Sequence, residues 1–200
     1  MFFSKPKQEE VSGQLEIDLI MSMVKAVNKI SLQKFEVSFK EKPKIDKKMV
    51  VQWQGKMKVL RPVDCVFVSV VLIQRPKAKD NGIFVLYLPE SIGEMIAIAF
   101  GIKRADGEEG LLKACGDFLT EIANQFKANM LKLGYEDLQF SLPMNFTSRV
   151  DQLFDFYQAT KFQITFLNDG EKFLEFDVGT GPIKKIAQPQ APIAAPEEPK

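Results

Sequence analysis

Residues 109–133 read EGLLKACGDFLTEIANQFKANMLKL. Leu111, Cys115, Phe118, Leu119, Ile122, Phe126 and Met130 recur at helical spacing and make one broad apolar side, so the stretch is a helix laid on a core. Gly134 supplies its stop signal. Asp117, Glu121, Asn124 and Ala128 follow one another at i, i+4, i+7 and i+11, which lines them up on a second stripe of the same helix. An acid, a second acid, an amide and a small residue therefore project together, at a spacing that lets one flat partner touch them all.

The flanking sequence predicts a layered partner for that helix. Upstream, Ser12 can cap a first helix in which Ile17, Ile20, Met21, Val24 and Val27 recur at helical spacing. An extended stretch, 35–40, and a Lys-rich linker with Pro43 follow. Met49, Val51, Trp53, Met57 and Val59 share one parity, and Gln52, Gln54, Lys56 and Lys58 the other. This reads as one half-buried strand with Trp53 in the core and Gly55 at a bulge or bend. Residues 66–73 and 83–88 read as buried strands joined by the turn signal Asp80-Asn81-Gly82. Ser91 caps a short helix, 92–100. Downstream, 138–142 is a strand ended by Pro143, and 151–158 reads as one or two helical turns. Phe162, Ile164 and Phe166 alternate with polar residues, and Asn168-Asp169-Gly170 turns the chain into the strand 173–178. Antiparallel hairpins and helices without strict alternation make an α+β layered fold.

Composition narrows the chemistry. The 200 residues suit one folded unit, expected over 12–185, with a flexible tail at 1–11 and a disordered Pro/Ala-rich tail at 186–200. Seventeen Phe against three Tyr and one Trp build the core largely from phenyl rings. With no His and two Cys, Cys65 and Cys115, each in an apolar stretch, a zinc or transition-metal site and the Ser-His and Cys-His schemes are excluded. Both thiols are expected buried and reduced. A net charge of +1 gives no field to steer nucleic acid or anionic membrane. The eight Lys/Arg between Lys40 and Arg61 read as a solvated face. No signal-peptide core and no run long enough to span a bilayer are present, so a cytoplasmic protein is expected. Gly179-Thr180-Gly181-Pro182 lacks the Lys and following helix of a phosphate loop and reads as a turn. The acidic pairs Glu9-Glu10, Asp106 with Glu109, and Asp151 with Asp155 have nothing apolar around them to raise a pKa for acid–base work.

The stripe and its surroundings together resemble a known family. Asp117-x3-Glu121-x2-Asn124, followed at a distance by Pro143, is similar to the Asp/Ser-x3-Glu-x2-Asn…Pro signature of the CheC/CheX/FliY phosphatases, and most similar to CheX-like members. GIFVLYLP at 82–89 resembles the family's hairpin strand, 91–100 its short helix, and LQFSLP at 138–143 the strand ending in the signature proline. The resemblance implies a CheC/CheX-like layered sandwich of antiparallel strands covered by helices. It implies hydrolysis of the aspartyl phosphate of a response-regulator receiver domain of the CheY type, in chemotaxis or a related two-component pathway. Asn124 would orient the attacking water and Glu121 would pair with a lysine of the receiver. Asp117 would orient the helix or touch the partner, and Ala128, where many relatives carry Gly, would permit close approach. The phosphorylated receiver brings its own Mg²⁺, so no metal or cofactor of this chain is implied; a homodimer, as in some CheX relatives, is a further alternative. Two departures, a shorter gap from Asn124 to Pro143 and an unmatched segment at 144–160, keep a second reading open. In it the chain is a non-catalytic CheX-like module that binds a receiver domain or a flagellar-switch component.

Overall fold

The computed structural model describes residues 8–74, 82–103, 106–147 and 152–185. Their three helices are α1 (Gln8–Phe35), α2 (Glu90–Ala99) and α3 (Gly107–Lys132). Their strands are β1 (Lys44–Met49), β2 (Gln52–Trp53), β3 (Lys56–Val59), β4 (Phe67–Gln74), β5 (Gly82–Leu88), β6 (Gln139–Phe140), β7 (Met144–Phe146), β8 (Gln152–Phe154), β9 (Thr160–Asn168) and β10 (Glu171–Gly179). A seven-stranded antiparallel sheet runs β1-β9-β10-β5-β4-β6, with β7 also on β4, and a three-stranded sheet runs β2-β3-β8. This is the expected α+β sandwich.

Strand alternation divides the core. In β5 every residue is buried: Phe84, Leu86 and Leu88 face the helices, while Ile83, Val85 and Tyr87 face the small sheet. The helix side is the larger core, rich in edge-on phenyl contacts such as Phe84 with Phe126 and Phe35 with Phe118. The far side packs Val68, Val70 and Tyr87 against Met57, Val59, Phe154 and Phe156. Cys65 and Cys115 are free and buried, one in each core.

Two close approaches set where the helices lie. A Cβ on Gly93 of α2 would stand 2.4 Å from the Phe67 ring, so only glycine lets α2 press onto β4 there. A Cβ on Gly116 of α3 would stand 2.5 Å from the Asn145 amide, so glycine admits β7 against α3. The end of α3 is as expected. Gly134 at φ 85 donates its N–H to Leu131 O and Tyr135 donates to Met130 O, the paired bonds of a Schellman stop.

Four local expectations change. The 49–59 stretch is not one strand: Gln54 (φ 50) and Gly55 (φ 75) make a two-residue hairpin of type I′. In that turn Trp53 pairs with Lys56 and Gln52 with Met57, and paired residues share a face. Parity therefore inverts across the turn. Val50, Met57 and Val59 go inside, while Trp53 is 60% exposed and Met49 and Val51 are exposed with it. Residues 152–154 form strand β8 on β3 instead of a helical turn, which buries Phe154. Helix α1 starts at Gln8, ahead of Ser12, and runs through Gly13, because no Pro follows Pro6 to stop it and the periodic stretch beyond carries the helix. Helix α2 starts at Glu90 after Pro89, with no side-chain cap, so Ser91 is not its cap. Residues 1–7 and 186–200, where tails are expected, and Asp80-Asn81, from the expected β4–β5 turn, lie outside the described residues. The β4–β5 and β9–β10 hairpins are both formed. Asp169 (φ 53) and Gly170 (φ 84) turn the second.

Candidate functional site

Helix α3 buries Cys115, Phe118, Leu119, Ile122, Phe126 and Met130, as the apolar spacing requires, and Ala114, Gly116 and Ala123 besides. The remaining arc faces outward between α1 on one side and β7 with the 134–138 loop on the other. The α1 side is held by a polar ladder. Asn129 donates to Ser22 O (3.0 Å), Gln125 donates to Asn129 (2.9 Å), and Lys29 donates to Gln125 (2.7 Å). On the other side Lys127 pairs with Asp137 at 2.9 Å, and Thr147, just past β7, donates to Glu108 at 2.5 Å. The segment after Pro143 thus braces α3 and pairs with the edge of β4.

All four sequence-predicted residues share this outward arc, and each meets different surroundings. Asp117 takes an ion pair from Lys113 one turn earlier, at 2.5 Å. Glu121 pairs with Lys34, from the last turn of α1, at 2.7 Å; both side chains are about a third exposed (32% and 35%). Asn124 is exposed, and no side chain or backbone group among the described residues engages its carboxamide. Ala128 is half-buried. An unengaged amide beside a carboxylate can accept from a water through its oxygen and donate through its nitrogen, without any strongly basic or acidic group.

Lys34 is the member of the site that sequence reading missed. Its ammonium also lies 4.7 Å from the centre of the Phe100 ring, at the end of α2. A basic residue in the last turn of α1 is ordinary for a helix C-terminus, so nothing local marks it as a neighbour of Glu121.

Strongly shifted groups lie elsewhere. On the far face of the sheet, buried Asp177 accepts from Tyr87 O–H (2.7 Å) and pairs through the same oxygen with Lys161. Neighbouring Glu175 accepts from Gln163 (2.7 Å) and pairs with Lys172 (3.0 Å), which also pairs with Asp64 (2.9 Å). Burial and then the Asp177 charge push the Tyr87 hydroxyl well above its usual value. Burial pulls the Lys172 ammonium down, but its bonds to Asp64 and Glu175 outweigh this and raise it. Burial lifts the thiols of Cys65 and Cys115 to about 12, with the Asp64 charge adding to the first. A groove of about 500 Å³ beside Leu15, Leu19, Phe162 and Gly179 has no α3 residue in its lining. Among the described residues no group of three or more His, Cys, Asp or Glu is placed to hold a metal ion, and no helix is long and apolar enough to cross a membrane.

The sequence matches no protein-family profile and no curated protein. Solved structures do match. A CheC-like superfamily protein from Shewanella sp. PV-4 is similar at TM-score 0.57 and 14% identity, over 82% of this chain and 98% of that one. A chemotaxis protein CheX from Desulfovibrio desulfuricans is similar at TM-score 0.57 and 12% identity, over 82% and 99%. The FliM middle domain from Helicobacter pylori is similar at TM-score 0.53 and 11% identity, over 88% and 94%. The chain therefore has the fold of the CheC-like and CheX chemotaxis proteins, as the α3 signature implied.

Proposed function

We propose that this chain is a CheX-like phosphatase that hydrolyses the aspartyl phosphate of a CheY-type receiver domain through the outward face of α3. The observation that carries this reading is Asn124, exposed and unengaged, one turn beyond Glu121 on a helix of a CheX-like fold. Asn124 holds a water in line with the phosphorus. The water oxygen bonds to phosphorus, the bond from phosphorus to the aspartyl oxygen breaks, and the receiver's carboxylate leaves. Such a reaction needs positioning and charge stabilisation more than a protein base. The receiver's Mg²⁺ supplies the charge stabilisation, and Glu121 fixes the docking by pairing with a receiver lysine. Asp117 and Ala128 belong to the contact surface. The test mixes the purified protein with a phosphorylated CheY-type receiver and Mg²⁺ and follows the release of inorganic phosphate. Loss of phosphate no faster than the receiver's own rate, with every receiver tried, would sink the enzymatic reading.

A second reading keeps the surface and drops the chemistry. The likeness to the FliM middle domain favours it, because the same fold extends beyond CheC-like and CheX proteins. In this reading the chain binds a receiver domain or a switch component without turnover, and its affinity is unchanged by Asn124→Ala.

A further inference from the structure

The ends of α1 and α2 converge on the middle of α3. Lys34 lies in the last turn of α1, and Phe100 is the C-terminal cap of α2. Glu121 supplies a carboxylate from α3, 2.7 Å from the Lys34 ammonium, and the Phe100 ring lies 4.7 Å below that ammonium. Each component of this notch favours a cation. A carboxylate offers a charge-assisted hydrogen bond, an aromatic face offers its negative quadrupole, and helix C-termini carry partial negative charge. The ammonium of Lys34 shows which cation fits: a primary amine on a long, flexible stem, able to meet the carboxylate and the ring at once.

We infer that the Glu121–Phe100 notch is a receptor for a lysine on a partner protein, which the chain fills with its own Lys34 until the partner's lysine displaces it. This rests on the proposed role of Glu121 as the docking group, and it adds Lys34 as the residue that sets how strongly a partner must compete. Both members of the pair are about a third exposed, so the internal pair is weak enough to exchange. A partner whose surface presents no lysine at that point meets a neutralised Glu121 and gains nothing from it. Lys34 thereby discriminates among partners of similar shape.

The test measures the affinity of a CheY-type receiver domain, held in its activated form by beryllofluoride and Mg²⁺, for the wild-type chain, Lys34→Met and Lys34→Met/Glu121→Gln. Methionine keeps an unbranched apolar stem and removes the charge, and thermal melts of each variant check the fold. Lys34→Met is expected to bind about threefold tighter than wild type, the double variant losing that gain. Equal or weaker binding by Lys34→Met, beside measurable binding by wild type, overturns the inference and leaves the function proposed above standing. A gain that survives in the double variant also overturns it, since Glu121 would then not be the receptor. No binding by either wild type or Lys34→Met overturns that function and this inference together.

Discussion

Two acidic pairs sit on opposite sides of the main sheet, and they are built in opposite ways. Asp117 and Glu121 stand on α3, spaced by one helical turn, each with one lysine and open to water. Glu175 and Asp177 stand on β10, spaced by one strand repeat, buried on the far face and held by Tyr87, Lys161, Gln163 and Lys172. Burial and charge crowding, which often mark a reactive site, belong to the second pair, and the displaced pKa values belong to its partners Tyr87 and Lys172. That pair lies within the sheet, and neither residue lines the groove beside Leu15, Leu19, Phe162 and Gly179. The first pair is open to water and lies beside the unengaged amide of its stripe. Where a reaction depends on positioning a water, charge burial marks architecture, and an accessible amide is the feature to look for.

The contrast can be broken most forcefully at Asp177. Replacing it with alanine leaves Lys161 and the Tyr87 hydroxyl without their partner in a buried setting, and should cost about 3–5 kcal/mol of unfolding free energy. A denaturant melt of Asp177→Ala within about 1 kcal/mol of wild type would show the buried contacts of Asp177 with Tyr87 and Lys161 to be ornamental. Alkaline pH probes the same side. The Cys65 thiol stays neutral in the folded state up to about 12, whereas in the unfolded chain it ionises near its ordinary value of 9.0. The unfolded state then binds fewer protons, so stability falls as pH rises between those values, by about 1.4 kcal/mol per pH unit for this group. Tyr87 adds to the fall above pH 10 for the same reason. Melts of wild type and Cys65→Ala across pH 9 to 11 should diverge; parallel curves would contradict the burial of the thiol.

On the helix side the sensitive positions are set by packing instead of charge. Gly93→Ala drives a methyl into the Phe67 ring and should destabilise by about 1–3 kcal/mol, despite alanine's better helix propensity. Asp117→Ala removes an exposed pair and should change stability by less than about 0.5 kcal/mol. If Asp117→Ala destabilised more than Gly93→Ala, the division into an accessible stripe and a packed core would fail.

How much of this was legible in the sequence follows the reach of each signal. The α3 stripe was legible because helical period fixes which residues share a face, whatever the helix packs on. Gly134 and Asn168-Asp169-Gly170 were legible because turn chemistry is local. Trp53 was misread because parity was carried through Gln54-Gly55, a turn without the usual Asn-Gly or Asp-Gly, and a two-residue hairpin inverts parity. The buried pair Glu175 and Asp177 was hidden in alternation. FLEFDV at 173–178 reads as a half-exposed strand, and only the neighbouring β9 and β5, which bring Lys161, Gln163 and Tyr87 against it, show its polar face to be a buried one. Lys34 was beyond reach altogether: the 86 residues between it and Glu121 are spanned only when α1 packs along α3.

The proposed chemistry turns on Asn124, and one comparison tests it most directly: phosphate release from a phosphorylated receiver by wild type and by Asn124→Ala, at matched thermal stability. The expected result is a loss of about a hundredfold in the acceleration, since misplacing the water removes the positioning term while the exposed substitution leaves the fold intact. Wild-type acceleration that survives undiminished in Asn124→Ala would contradict the account and move the chemistry off this face of α3.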